Sequence, residues 1–206
     1  MRHLLCSALC ALFLASPTAA EITLSTATGP VTLAENPQSV AVFDVAAIDT
    51  LDALGIALAG VPDRVFVPYL DHVSRDAEVV GTLFEPDFET LAALSPSLII
   101  VGARMAAQTP ALSRLAPVID MTIPAGGTVE QARARIGAYG ALFGVEERAA
   151  HLLRQLDDRI LVARGAVANK GNALIILTNG AKVSAYGANS RFGWLHTEVG
   201  FTPAVA

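Results

Sequence analysis

The segment that most limits what this chain can become runs from Glu146 to about Ala168. It contains no proline and no turn cluster. Ala149, Leu152, Leu153, Leu156, Ile160 and Leu161 recur at helical spacing, and Arg148, Arg154, Asp157, Asp158, Arg159 and Arg164 fill the other face. At 1.5 Å per residue this predicts one helix about 33 Å long. Such a rod divides the chain, so the patterns before and after it are read separately.

Before the rod, short apolar runs alternate with helix-period stretches. Glu21 to Ala34 alternates apolar and polar residues around Thr28-Gly29-Pro30, a hairpin signal. Val40-Ala41-Val42-Phe43 reads as a buried strand, followed by a helix from Val45 to Leu54 closed by Gly55. Further strands are expected at Leu58–Val61, Glu78–Gly81, Ser97–Val101 and Val118–Met121. Asp87 suits the N-cap of a helix running to Leu94. Val129 to Phe143 reads as a helix stopped by Gly144. Strands alternating with helices predict an α/β fold with a mostly parallel, doubly wound, Rossmann-like sheet.

After the rod, Asn169-Lys170-Gly171-Asn172 is a turn cluster. Ala173–Leu177 then reads as a new buried strand, and a small hairpin follows with Thr178-Asn179-Gly180 at its tip. Roughly 36 residues remain after Lys170, too few to bury a core alone. The expected organisation is an N-terminal lobe over residues 21–145, a linker helix over 146–168, and the start of a C-terminal lobe over 169–206. The second lobe is read as incomplete and the chain as C-terminally truncated. Weak or absent ligand binding by the 206-residue form is the corresponding expectation.

The first twenty residues have the parts of a secretory signal. A basic start at Arg2 precedes an apolar run from Leu4 to Ala15, and small residues lead to a cut after Ala20. The run is too short for a transmembrane helix, which needs about twenty residues, and the protein is not expected to span a membrane. Both cysteines, Cys6 and Cys10, lie in this segment. A chain starting at Glu21 has no thiol for a disulfide, a metal site or a nucleophile. Lipidation at Cys10 is disfavoured, because Leu9 stands where a small residue is wanted.

Removing Arg2 takes the net charge from −5 to about −6. The only lysines are Lys170 and Lys182, with no basic run, which argues against nucleic-acid binding. Motifs for acyl transfer, zinc proteolysis and phosphate-loop chemistry are missing. His72, His151 and His196 are scattered, with none at ligand spacing from another. His151 reads as a surface residue of the long helix, and His196 as packed or capping rather than metal-binding.

Two arginines stand out. Arg104 follows the strongest strand through Gly102-Ala103, whose small side chains let a ligand approach the backbone. Ligands of open α/β sheets sit beyond the carboxyl ends of strands. Arg191 lies in the glycine-bounded loop Gly187–Gly193. Each alone is compatible with a solvated loop residue. Together they suggest an anionic ligand, because arginine offers a fixed fork of donors and a permanent charge.

Several segments, in order, resemble the ferric-siderophore periplasmic binding proteins. They are Asn36-Pro37, Val40–Asp44, Asp49–Gly55, Gly81–Glu89, Leu94–Ile100 and Ser184–Gly193. The catecholate-siderophore receptors of ABC importers are the most similar subgroup. The resemblance implies two α/β lobes joined by one long helix, with the ligand in the cleft. It implies a monomeric periplasmic receptor, not an enzyme, that has no intrinsic cofactor and delivers an Fe(III)-siderophore complex to the permease of an ABC importer. It places ligand-binding arginines at Arg104 and Arg191 and a permease-docking carboxylate at Glu89. Glu89 equally suits the first turn of a helix as an acid favoured by the dipole. The family's iron-coordinating residues fall beyond Ala206, so no metal ligand is assigned. The alternatives are a receptor for haem, cobalamin or another metal chelate, which the Arg191 loop disfavours, and an envelope hydrolase, which lacks a nucleophile–base pair.

Overall fold

The computed structural model describes residues 20–124 and 126–204. The expected signal segment therefore lies, apart from Ala20, outside the described residues. The chain opens with an antiparallel hairpin, β1 (Glu21–Thr26) and β2 (Gly29–Ala34). Its turn is Ala27-Thr28, earlier than the expected Thr28-Gly29-Pro30, because Gly29 and Pro30 already pair with Thr26 and Ser25.

Five strands follow in alternation with helices. They are β3 (Val40–Val42), β4 (Gly60–Val61), β5 (Glu78–Val79), β6 (Leu98–Val101) and β7 (Val118–Asp120). All pairings are parallel, in the spatial order β5-β4-β3-β6-β7. The intervening helices are α1 (Val45–Ala53), α2 (Asp71–Asp76), α3 (Phe88–Leu94) and α4 (Thr109–Leu112), and α5 (Thr128–Leu142) follows β7. α2 and α4 were not expected from the sequence.

Both faces of the sheet are buried, as parallel sheets require. The two-residue period of a strand sorts the side chains. Val40, Val42, Leu98, Ile100 and Ile119 join α1, α5 and the hairpin's Leu24 and Leu33 in one core. Ala41, Phe43, Ile99 and Val101 join Leu91 of α3 and Leu112 of α4 in the other.

α1 starts where Asp44 turns out of β3, its Oδ1 accepting from the Ala47 N–H at 2.9 Å. α3 starts the same way at Asp87, which accepts from Glu89 and Thr90 N–H, both at 3.0 Å. Hydrogen bonds from these donors, those of Thr90 first, hold the Asp87 carboxyl below its ordinary pKa. Asp44 differs. Its burial raises its pKa above the ordinary 3.8, outweighing the cap bond from Ala47 and the charges of Arg135 and Arg104.

The rod is α6 (Glu146–Val167), packed against α5 through Ala149 and the half-buried Leu152, Leu153 and Leu156. Arg133 of α5 pairs with Asp157 at 2.7 Å. Arg148, on the polar face as expected, stays exposed and also reaches the end of α1. Its Nη1 donates to the Leu54 carbonyl at 2.8 Å, filling an acceptor at the end of α1. Leu161, expected on the apolar face, is exposed.

Beyond α6, β8 (Asn172–Ala173) pairs in parallel with β11 (Thr202–Pro203). Between them lie the hairpin β9 (Ile175–Asn179) and β10 (Lys182–Tyr186) and the short helix α7 (Trp194–Thr197). The expected single buried strand Ala173–Leu177 is not formed. It breaks at Leu174, and Leu174, Ile176 and Leu177 are exposed, because among the described residues no layer covers that hairpin. Arg164 of α6 anchors this region by donating from Nε and Nη2 to the Glu198 carbonyl at 3.0 and 2.6 Å.

Two predictions follow from these caps. Replacing Arg148 with Met leaves the Leu54 carbonyl without its donor and is expected to cost about 1–3 kcal/mol in urea unfolding. An unchanged midpoint and slope would remove this bond from the account. Asp44→Asn keeps a competent cap but no buried charge. The raised pKa of Asp44 means that the folded state holds its proton more tightly than the unfolded state. Stability from this group is full below the ordinary carboxylate value and is lost as pH rises through the folded pKa. Asp44→Asn is therefore expected to melt higher than wild type at neutral pH, with the difference vanishing near pH ~3. A variant less stable at neutral pH would contradict the assignment.

Candidate functional site

The strand order reverses between β3 and β6. From β3 the chain winds outward through β4 and β5, then crosses to β6 and β7 on the other side. Loops leaving the carboxyl ends of two such strands diverge and open a crevice, where open α/β sheets bind ligands. Here those ends carry Phe43-Asp44 and Gly102-Ala103-Arg104. The close approach is steric: a Cβ at position 102 would collide with the Asp44 carboxylate and force it to shift from its capping position. Arg104 is exposed and close enough to Asp44 to favour its ionised form. Its guanidinium carbon stands 6.0 Å from the Phe84 ring centroid, at the outer limit of a cation–π contact.

Arg191 is also exposed, with its guanidinium carbon 5.0 Å from the Phe192 ring centroid. Phe192 packs edge-on against Tyr186 at 4.9 Å. The Ser190 hydroxyl braces this loop, donating to the Gly187 carbonyl at 2.7 Å and accepting from the Phe192 N–H at 3.2 Å. Thr128 Oγ1 donates to the Arg191 carbonyl at 3.4 Å, so the loop touches the start of α5. A cleft of about 250 Å³ lies there, lined by Gly126, Thr128, Asn189, Ser190 and Trp194 among others. Arg104 follows β6 and Arg191 lies in the loop after β10, so the two cationic positions stand on different elements.

Glu89 lies exposed in the first turn of α3. His196 is buried, with its Nδ1–H donating to the Phe201 carbonyl at 2.9 Å. His151 is exposed on α6. His72 bonds to Asp52 at 2.8 Å, and that bond raises its pKa. No helix among the described residues is long and apolar enough to cross a membrane.

The sequence reading missed several residues of this region. Asp44 was visible as an acid directly after a strand, the same signal that marked Arg104. Arg135 was not visible. It sits among the polar positions of α5, yet it is buried and lines a cavity of about 420 Å³ with Ser25, Thr26, Thr122 and Gln131. Its charge reaches both Asp44 and Tyr139. The fully buried Tyr139 hydroxyl is pushed well above its ordinary pKa, mainly by desolvation. Phe84 and Phe66 are large apolar residues left exposed, a pattern that only the fold reveals.

Comparison with known proteins places this geometry. The chain is 36% identical over 174 residues to the petrobactin-binding protein YclQ of Bacillus subtilis (strain 168), covering 82% of this chain and 55% of that protein. The crystal structure of YclQ superposes with a TM-score of 0.85 at 32% identity, covering 90% of this chain and 67% of that one. The siderophore-binding protein BauB, solved with two acinetobactin molecules and ferric iron, gives a TM-score of 0.83 at 27% identity, covering 91% and 69%. The catecholate-siderophore binding protein VctP of Vibrio cholerae gives 0.79 at 29% identity, covering 91% and 68%. The chain thus spans about half the length of the curated relatives it matches. The family described as periplasmic binding protein matches residues 40–206, including the switch-point crevice and the Arg191 loop. On that match and the identity to YclQ, this chain belongs to the periplasmic binding protein family.

Proposed function

We propose that this chain is part of a periplasmic receptor that captures a ferric siderophore of catecholate type and hands it to an inner-membrane ABC importer. The observation that carries the reading is Arg104. It is an exposed guanidinium beyond the carboxyl end of β6, at the point where the strand order reverses. The names of the relatives support the ligand class, since YclQ, BauB and VctP are all siderophore binders.

Ferric catecholates are strongly anionic. At an effective dielectric near 20, a charge pair at about 4 Å gains around 4 kcal/mol before desolvation. Arg104 supplies this from the sheet edge and Arg191 from the Gly187–Gly193 loop. Neither guanidinium forms an ion pair with an acid of the chain among the described residues, so both remain available to an anion. The proposed partition is a lobe over residues 21–145, a linker helix over 146–168 and a second lobe beginning at 169. Binding rather than catalysis fits a site of cations and glycine-rich loops, and the receptor is proposed to act as a monomer. Glu89, exposed on α3, is the proposed permease contact of the first lobe.

Trp194 lines the cleft beside the Arg191 loop and reports on it. In the full-length protein, quenching of its fluorescence by a ferric catecholate is expected to saturate. Arg104→Ala and Arg191→Ala are each expected to weaken binding about tenfold to a hundredfold. Unchanged affinity in Arg104→Ala would remove that residue from the site, and unchanged affinity in both would remove the anionic-ligand reading. Glu89→Lys is expected to leave binding intact and to lower uptake through the importer.

A further inference from the structure

Phe84 is a large apolar side chain left 61% exposed at the tip of a loop that has little freedom to move. Gly81, at φ +123°, starts the loop, and a Cβ there would strike the Glu85 carbonyl and lie 2.7 Å from the Asp87 nitrogen. Thr82 N–H donates to the Glu85 carbonyl at 2.8 Å, and the Thr82 hydroxyl accepts from Phe84 and Glu85 N–H at 3.1 and 3.0 Å. Asp87 N–H closes the turn onto the Val80 carbonyl at 2.8 Å. These bonds fix the backbone from which the ring projects into solvent.

Phe66 repeats the anomaly on the neighbouring loop. It is 74% exposed and holds a backbone φ of +57°, a region that bulky residues seldom occupy. Strain of this kind persists only where the surroundings enforce it, and it concentrates at ligand sites. Asp63 N–H donates to the Gly81 carbonyl at 2.8 Å, tying the loop after β4 to the loop after β5. The two phenylalanines therefore leave adjacent loops on the carboxyl edge of the sheet, the edge that carries Arg104. The approach of Arg104 to the Phe84 ring at 6.0 Å joins that ring to the cationic position, and Phe66 leaves the next loop along the same edge.

Exposed rings beside a guanidinium fit one ligand chemistry better than others. An aliphatic anion would use Arg104 and leave the rings in water. A neutral apolar ligand would use the rings and leave the charge unanswered. An anion built from aromatic rings uses both, since aryl groups stack offset or edge-to-face on phenylalanine. We propose that Phe84 and Phe66 form an aromatic platform beside Arg104 that recognises the aryl rings of an anionic chelate and selects against aliphatic ones. This rests on the ferric-siderophore reading given above.

The test is calorimetric titration of the full-length protein with two anionic probes, iron(III) tris-catecholate and iron(III) citrate. Phe84→Leu and Phe66→Leu are each expected to weaken the catecholate about threefold to tenfold. The loss on citrate should be at least about threefold smaller, with Phe84→Tyr restoring the catecholate affinity. Equal losses on both probes, or no loss on the catecholate, would overturn the platform and leave the ferric-chelate reading standing. A wild-type protein that prefers the citrate would do the same. A wild-type protein that binds neither ferric probe would overturn both.

Discussion

The parallel pairing of β3 with β6 holds the carboxyl edge of the sheet in place. Val40, Ala41 and Val42 lie opposite Leu98, Ile99 and Ile100, and the ladder continues one step further through Phe43 N–H to the Ile100 carbonyl at 2.8 Å. That register places the turn at Asp44 against the turn at Gly102. A slip of one residue would exchange the two buried faces and is disfavoured by every apolar side chain in both cores. Because neither strand can slide, Asp44 must enter α1 where it does, and the chain must leave β6 through a residue without a side chain. Arg104 then projects from a fixed base.

The same packing explains the electrostatics. Asp44 is drawn into the protein because it caps α1 from inside the sheet, and burial makes its charge costly. Arg135 and Arg104 offset part of that cost from two sides. The region thus holds one half-buried acid, one buried arginine and one exposed arginine, with the exposed one facing solvent. Farther along the chain, Arg164 and Thr128 tie the Arg191 region to α6 and α5, so a second cation is held by helices rather than by a free loop.

Much of the fold could be read from the residues because local signals agreed with the tertiary outcome. Asp87 capped α3, Gly55 and Gly144 closed helices at left-handed φ, and Leu98–Val101 formed a fully buried inner strand. The failures share a cause: they depended on what packs against what. Ile176 and Leu177 have strand propensity, but burial requires a covering layer, and propensity carries no information about one. Helical spacing gives no sign that Arg135 is buried or that the exposed Arg148 bonds the end of α1. Those outcomes depend on the neighbouring end of α1 and on the cavity beside α5. Arg104 and Arg191 were singled out because both follow strands through small residues, and both are exposed in the structure. Asp44 carried the same signal without the glycine flank, and exposed phenylalanines in loops carry no pattern at all.

The central claim is that the crevice where the strand order reverses holds an anionic ferric chelate. Paramagnetic broadening of backbone amide resonances by the bound iron tests it most directly, with the gallium complex as the diamagnetic reference. The account predicts strong broadening at Asp44, at Gly102 to Arg104 and across Gly187 to Gly193. The amino ends of the same strands, at Ser39, Val40, Ser97 and Leu98, should stay sharp. Broadening centred on those amino ends, or on the hairpin of β1 and β2, would contradict it.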